Sequence, residues 1–179
     1  ATTNAAARLS LNAVPLMRAV RLSAPPSLDG DDRGWEGVAF QEIPSTRAWQ
    51  GQARDAADVS GRFRVAVSGR ALYLDVQVRD DVVVTNIAPD DIKGHWRSDS
   101  IEICLDPQAG AENALGAYKM GVFPFDTTGV VKGARDADAR PGPIAESAPG
   151  TRLASFRTAE GYRILASIPL AEAGLSRGR

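Results

Sequence analysis

Two runs near the middle of the chain alternate apolar and polar residues. Apolar residues occupy every second position over 63–67 and again over 72–78, with mostly polar residues between them. A period of two is typical of β-strands that bury one face. The intervening Ser68-Gly69-Arg70 supplies turn residues, so the two runs predict a β-hairpin.

A third run shows the same period around an acidic residue. Ile101, Ile103 and Leu105 fall on one face of an extended segment, while Glu102 and Cys104 fall on the other. We expect the apolar face to pack into the core of the domain. The opposite face then carries a carboxylate at its centre.

The remaining chain shows further strand signals and no long amphipathic helix or internal repeat. Strands are predicted over 20–23, 118–123 and 129–132, and a hairpin is predicted over 153–168. The pattern therefore predicts an all-β fold with one shared core. The residues expected in that core are Phe63, Val65, Leu72, Leu74, Val76, Ile101, Ile103 and Leu105.

Length and composition limit the classes of protein that are compatible with this pattern. The 179 residues fit one domain with an appendage: residues 1–20 as a tail or the end of a preceding domain, and 21–179 as the β-domain. The formal net charge of −1 gives the chain no overall positive potential that would attract nucleic acid. No apolar run reaches the roughly 20 residues of a membrane span, and no signal-peptide pattern is present. The single cysteine, Cys104, excludes an intrachain disulfide and is expected to be a partly buried filler.

Trp96 precedes the strand that carries Glu102, and this pair is the first candidate site. A flat ring can cover the apolar face of a sugar while a fixed carboxylate accepts its hydroxyl hydrogen bonds. In the alternative interpretation, Trp96 caps the core and Glu102 is a solvated surface residue. The pattern alone leaves both interpretations open.

The order of several short motifs resembles one known family. The chain resembles family 9 carbohydrate-binding modules and their relatives, which are antiparallel β-sandwiches of the DOMON type, over about residues 22–175. The motifs, in order, are Leu28-Asp-Gly, Asp32-Arg-Gly-Trp35, the runs 62–67 and 71–80, Trp96-Arg-Ser-Asp-Ser-Ile-Glu-Ile, Tyr118-Lys-Met and Gly161-Tyr-Arg-Ile-Leu-Ala-Ser-Ile-Pro-Leu.

The resemblance implies roles for particular residues. Trp96 matches one half of an aromatic clamp around a terminal sugar, Glu102 and Lys119 match its polar contacts, and neighbouring His95 is a further candidate for hydrogen bonding. Lys119 stands where the family often has arginine, so it keeps the charge and loses the bidentate fork. The alternative is a cross-strand ion pair without a ligand. Trp35 matches a structural residue that closes one end of the sandwich.

The resemblance also implies that something completes the domain. In the family, the second aromatic of the clamp and the last strands come from a segment beyond the position of Arg179. We therefore expect other domains or chains of a larger protein to complete the sandwich at its C-terminus. An open strand edge or groove is expected beside the strand of Ile164 and Ile168, with residues 9–16 as a substitute strand.

Metal and haem sites are weaker expectations. Family members often hold structural calcium, and the weak candidate ligands here are Asp80, Asp81, Asp90 and Asp91. Some related sandwiches bind haem, for which Met120, Lys119 or His95 would be recruited. Lys119 and Met120 point to opposite faces of a strand, which disfavours haem.

The function expected from the sequence is that of a non-catalytic carbohydrate-binding module. The only histidine, His95, has no evident serine or cysteine partner, so the chain is not expected to be an enzyme. The resemblance places the module in a larger secreted, periplasmic or cell-surface protein of bacterial type, such as a glycoside hydrolase. The alternatives are a haem-binding domain and a structural sandwich without a ligand.

Overall fold

The computed structural model describes residues 18–47, 51–90, 97–107, 117–135 and 150–175. Within these ranges the chain forms nine β-strands and one 3-10 turn, Ser45–Arg47. None of the described residues forms a helix with the length and apolarity that a membrane crossing requires. The strands are β1 (Val20–Arg21), β2 (Gln41–Ile43), β3 (Val59–Ser68), β4 (Ala71–Asp80), β5 (Ile101–Leu105), β6 (Tyr118–Phe123), β7 (Lys132–Arg135), β8 (Arg152–Thr158) and β9 (Gly161–Pro169).

The strands form two sheets. The larger sheet has the order β1-β3-β4-β9-β8, and β2 also pairs with β3; the smaller sheet has the order β5-β6-β7. Every pair is antiparallel except β1 with β3. The architecture confirms the predicted all-β, antiparallel β-sandwich.

The main core lies between the two sheets and is built from the predicted alternation. Leu72, Leu74, Val76 and Ile103 are buried there. Phe63, Val65, Ile101 and Leu105 are partly buried and pack against the same cluster, so the predicted core is confirmed. Strand geometry sends alternate side chains to one face, which explains why the period alone identified these residues.

The predicted hairpins are also present. Ser68 pairs with Ala71, so β3 and β4 are joined by the two residues Gly69 and Arg70. Gly69 adopts a φ of 57°, which favours glycine. In the β8–β9 hairpin, a Cβ at Gly161 would lie 2.4 Å from the carbonyl oxygen of Val78, so this close approach of two backbones requires glycine.

The outer face of the larger sheet is covered by residues 22–40, here called the strap. Trp35 is 1% exposed and belongs to a second apolar cluster with Tyr73 and Leu165 from the sheet. Its indole Nε1 donates a hydrogen bond to the carbonyl oxygen of Ser27 at 3.3 Å. The structural role predicted for Trp35 agrees with this burial.

A network of charged side chains lies between the strap and the sheet. Asp75 is fully buried and accepts hydrogen bonds from the Nε atoms of Arg64 at 2.7 Å and Arg163 at 2.8 Å. Asp32, which lies in the strap, forms ion pairs with both guanidinium groups. Arg163 also donates to the carbonyl oxygen of Gly30 at 2.7 Å. The alternation indicated that the polar face of β3, β4 and β9 points away from the main core. The structure shows that the centre of this face is nevertheless buried, beneath the strap.

Several local predictions differ from the structure. Cys104 is exposed and not partly buried, because it shares the outer face of β5 with Glu102. β7 begins at Lys132, three residues later than predicted, and β2 was not predicted. Residues 9–16, the expected substitute strand, lie outside the described residues. β9, the strand of Ile164 and Ile168, pairs with β4 on one side and β8 on the other, so the open edge expected beside it is wrong. Completion of the domain by another segment stays a prediction.

Candidate functional site

Glu102 and Lys119 meet on the outer face of the smaller sheet. Cys104 pairs with Lys119 and Glu102 pairs with Gly121, so the two charged residues are diagonal neighbours on β5 and β6. The Oε1 atom of Glu102 lies 3.4 Å from the Nζ atom of Lys119. The side chains are 40% and 24% exposed, so solvent or a ligand can reach both. The side-by-side placement implied by the family resemblance is therefore observed.

This ion pair places a hydrogen-bond acceptor beside a donor, and the contact between them adds little to the stability of the fold. The carboxylate of Glu102 accepts hydrogen bonds, and the ammonium group of Lys119 donates up to three. A partly exposed ion pair of this kind contributes only about 0–1 kcal/mol to stability. Rearranging it around a ligand hydroxyl therefore costs little. Gly121 and Ala134 share the cross-strand row of Glu102 and add no bulky side chain beside the carboxylate.

Two of the four predicted binding residues lie outside the described residues. These are His95 and Trp96, which immediately precede Arg97. The structure thus brings Glu102 and Lys119 together and gives the course of the chain from residue 97 into β5.

Asp99 is a residue near this site that the sequence reasoning did not single out. Its Oδ2 atom accepts a hydrogen bond from the backbone N–H of Val84 at 2.8 Å. It lines a groove of about 400 Å³ at the end of the sandwich, together with Asp80 and Tyr162. Burial raises the pKa of the Asp99 carboxyl; the Val84 hydrogen bond opposes this rise, and the charge of Asp80 adds to it. Burial, followed by the charges of Asp99 and Asp80, also raises the pKa of Tyr162.

The sequence feature that could have identified Asp99 is its position in the motif Trp96-Arg-Ser-Asp-Ser, just before β5. An aspartate just before a strand can cap a backbone N–H of a neighbouring segment. The sequence does not reveal which segment that is, because Val84 lies 15 residues earlier in the chain.

The candidate calcium ligands are engaged separately. Asp80 accepts a hydrogen bond from the N–H of Val82 at 2.9 Å, whereas Asp81 forms an ion pair with Arg54. Asp90 is exposed, and Asp91 lies outside the described residues. In the part of the chain that the structure describes, no three His, Cys, Asp or Glu residues are grouped to hold a metal ion. Because Ca²⁺ takes six to eight oxygens, the described carboxylates do not fit a calcium site, and calcium stays a prediction.

The candidate haem ligands do not converge either. Met120 is fully buried in the core, where its Sδ accepts a hydrogen bond from the hydroxyl of Tyr118 at 3.4 Å. Lys119, next along β6, points to the opposite face and contacts Glu102. These two residues therefore cannot ligate one haem, and His95 lies outside the described residues.

Comparison with solved structures gives the fold a context. A family 9 carbohydrate-binding module from Caldicellulosiruptor kristjanssonii in complex with glucose is 22% identical, with a TM-score of 0.57 over 86% of this chain and 70% of that one. The module from this organism in complex with cellotriose is 19% identical, with a TM-score of 0.57 and coverage of 85% and 67%. A putative carbohydrate-binding protein from Bacteroides uniformis is 15% identical, with the same TM-score and coverage of 90% and 75%. These likenesses support the sandwich fold.

The family is shown by the sequence itself. No functionally curated protein matches the chain significantly. However, the sequence profile of the family described as "Carbohydrate family 9 binding domain-like" matches residues 28–178, which is most of the chain. The chain therefore belongs to this family and is a non-catalytic carbohydrate-binding module.

Proposed function

We propose that the module binds a glucose-type sugar on the outer face of its smaller sheet, at Glu102 and Lys119. The observation that carries this proposal is the 3.4 Å contact between the side chains of Glu102 and Lys119, both of which are partly exposed. The structurally similar modules in complex with glucose and with cellotriose support the choice of sugar.

The chemistry of the pair suits vicinal hydroxyl groups. Glu102 accepts hydrogen bonds from one hydroxyl while Lys119 donates to the oxygen of its neighbour, and both bonds are charge-assisted. In the proposed site, Trp96 covers the apolar C–H face of the ring and His95 adds a polar contact, as the family resemblance implies. Because the charged residues lie on two adjacent strands, their separation is held by the sheet.

The module is proposed to serve a larger protein. Family membership supports a role as an accessory domain of a secreted, periplasmic or cell-surface protein of bacterial type that acts on glycans. Its partners would be the carbohydrate and the domains or chains that complete the sandwich.

Isothermal titration calorimetry with glucose, cellobiose and cellotriose tests the proposal, with maltotriose as the contrasting sugar. Glu102→Gln removes a charged hydrogen-bond partner worth about 1.5–3 kcal/mol, which corresponds to a loss of affinity of roughly 10- to 150-fold. Lys119→Met should act in the same direction. Glu160→Gln is the matched control, since it breaks an accessible ion pair with Arg79 on the larger sheet.

Trp96→Ala tests the aromatic component. We expect it to abolish sugar binding and leave the melting temperature nearly unchanged. A large loss of stability with binding intact would instead make Trp96 a core residue. Absence of binding by the wild type across the sugar series, or unchanged affinity in Glu102→Gln, would refute the proposed site. A Soret band in the purified protein would favour the haem alternative.

A further inference from the structure

Asp99 satisfies both backbone groups of one residue in a neighbouring segment. Its backbone N–H donates to the carbonyl oxygen of Val84 at 3.0 Å, and its side-chain Oδ2 accepts from the N–H of Val84 at 2.8 Å. This reciprocal arrangement resembles one rung of an antiparallel ladder in which a carboxylate replaces the second carbonyl group. Neither residue belongs to a β-strand. The side chain of Asp99 therefore holds together two segments that the sheets do not hold.

Ser98 and Asn86 extend the same contact. The hydroxyl group of Ser98 donates to the carbonyl oxygen of Val84 at 2.7 Å and accepts from the N–H of Asn86 at 3.2 Å. The side-chain amide of Asn86 donates to the carbonyl oxygen of Arg97 at 3.5 Å. Residues 84–86 and 97–99 together are called the clasp from here on.

One side of the clasp is anchored in the body of the sandwich. Residue 86 is followed by Ile87, which is fully buried and whose carbonyl oxygen accepts from the N–H of Thr127 at 2.8 Å. The turn that contains Thr127 is itself fixed by the buried side chain of Asp126. Its Oδ1 atom accepts from the N–H and hydroxyl groups of Thr128 and from the N–H of Val130. Residues 84–87 are therefore anchored to the body of the sandwich through Ile87. Their contacts with residues 97–99 fix the position of those residues.

The other side of the clasp leads directly to the proposed sugar site. Asp99 lies three residues before Glu102, and Arg97 is the residue after Trp96. We infer that Asp99 is a positioning residue for the carbohydrate site, acting through its clasp with Val84 on residues 97–102, which lead to Glu102. This inference rests on the proposed function, because it assigns a role to a residue that does not itself contact the sugar.

The environment of Asp99 argues against an incidental surface contact. The carboxyl group lies in the groove at the end of the sandwich, with Asp80 of β4 and Tyr162 of β9 in its electrostatic environment and Arg47 also lining the groove. Placing a carboxylate in partial burial near a second one is unfavourable unless its hydrogen bonds compensate. The bond from Val84 opposes that cost.

Three variants and one control separate positioning from general stability. Asp99→Ala removes the acceptor for Val84, Asp99→Asn keeps an oxygen in that place, and Ser98→Ala removes the second side chain of the clasp. Asp55→Ala is the control, because it removes a similar carboxylate–backbone bond, from the N–H of Ala57 at 2.7 Å, outside the clasp. Calorimetry measures affinity for the sugar that the wild type binds most tightly. Urea unfolding measures stability, and amide hydrogen exchange measures the protection of residues 97–102.

We expect Asp99→Ala to weaken sugar binding about tenfold, in line with the loss of one hydrogen bond to a charged group, and to raise hydrogen exchange across residues 97–102. Asp99→Asn should restore affinity to within about threefold of the wild type. Ser98→Ala should give a smaller loss than Asp99→Ala, and Asp55→Ala should leave affinity unchanged. The proposed function predicts a larger loss in Glu102→Gln than in Asp99→Asn.

The outcomes distinguish the two proposals. Wild-type affinity in Asp99→Ala, with Glu102→Gln impaired, would overturn the positioning role and leave the proposed function standing. An Asp99→Asn variant that binds as poorly as Asp99→Ala would overturn it as well, because the acceptor oxygen would then be irrelevant. If Asp99→Ala fails to fold, Asp99→Asn and Ser98→Ala decide the question. A wild type that binds no sugar would overturn both proposals.

Discussion

Replacing Asp75 should be the most damaging single change of charge in the domain. Asp75 is fully buried between two arginines and accepts three hydrogen bonds from them, at 2.7, 2.8 and 2.8 Å. Asp75→Ala leaves two guanidinium groups beneath the strap with Asp32 as the remaining carboxylate, and the side chain of Asp32 is 74% exposed.

The arginines cannot easily escape to solvent after this change. Arg64 stacks on the rings of Trp35 and Phe40, with centroid distances of 4.8 and 4.5 Å, and its side chain is 8% exposed. Breaking a buried charge pair from one side typically costs about 3–5 kcal/mol. A small domain is stable by only about 5–15 kcal/mol, so Asp75→Ala should remove a large fraction of the stability.

Urea unfolding followed by tryptophan fluorescence measures this loss at pH 7. We expect a much lower midpoint with an unchanged slope, which would indicate lost stability without a change in the unfolded state. The control is Asp58→Ala, which breaks a more accessible ion pair with Arg54 and should change the midpoint little. A triple variant with Arg64→Met, Asp75→Leu and Arg163→Met should recover most of the stability, since apolar replacement of a buried ion network is often neutral. A loss below about 1 kcal/mol in Asp75→Ala would refute the reasoning, because it would fall within the range of an exposed pair.

Two further predictions concern the core and the strap. Ile103 is 5% exposed in the core, and Ile103→Ala should lower the free energy of unfolding by about 2–5 kcal/mol in urea titrations; an unchanged midpoint would contradict the assigned register. For Asp32, partial desolvation opposes the shift, but the hydrogen bond from Arg64 and the charges of Arg163 and Arg64 lower the net pKa of the carboxyl. Its stabilisation is therefore fully present above the ordinary pKa of about 3.9 and is lost as the pH falls through the lower folded-state value. Because the Asp32 side chain is mostly exposed, Asp32→Asn should cost less than about 1 kcal/mol at pH 7 and flatten the decline in stability below about pH 4; the same decline in both proteins would exclude Asp32 as its source.

The sequence by itself determined the strands and the faces of their side chains. Alternation over 101–105 placed Ile103 in the core and Glu102 on the opposite face, and the turn residues around Gly69 placed the main hairpin. The contact between Glu102 and Lys119 was expected from the family resemblance, which makes their two strands neighbours. These features depend on the backbone geometry of a strand and on pairing between nearby segments, which short stretches of sequence encode.

Only the tertiary structure decided what covers each face. Asp75 and Arg163 are 88 residues apart, and Arg163 and Asp32 are 131 residues apart, yet the three side chains form one network. Alternation marks Arg64 and Cys104 alike as residues of a polar face. The strap covers the first of these residues, whereas the second is exposed. The clasp of Asp99 with Val84 joins residues 15 positions apart and depends in the same way on how separate segments pack together. A local pattern records which residues share a face, but burial of that face depends on a distant segment that packs against it.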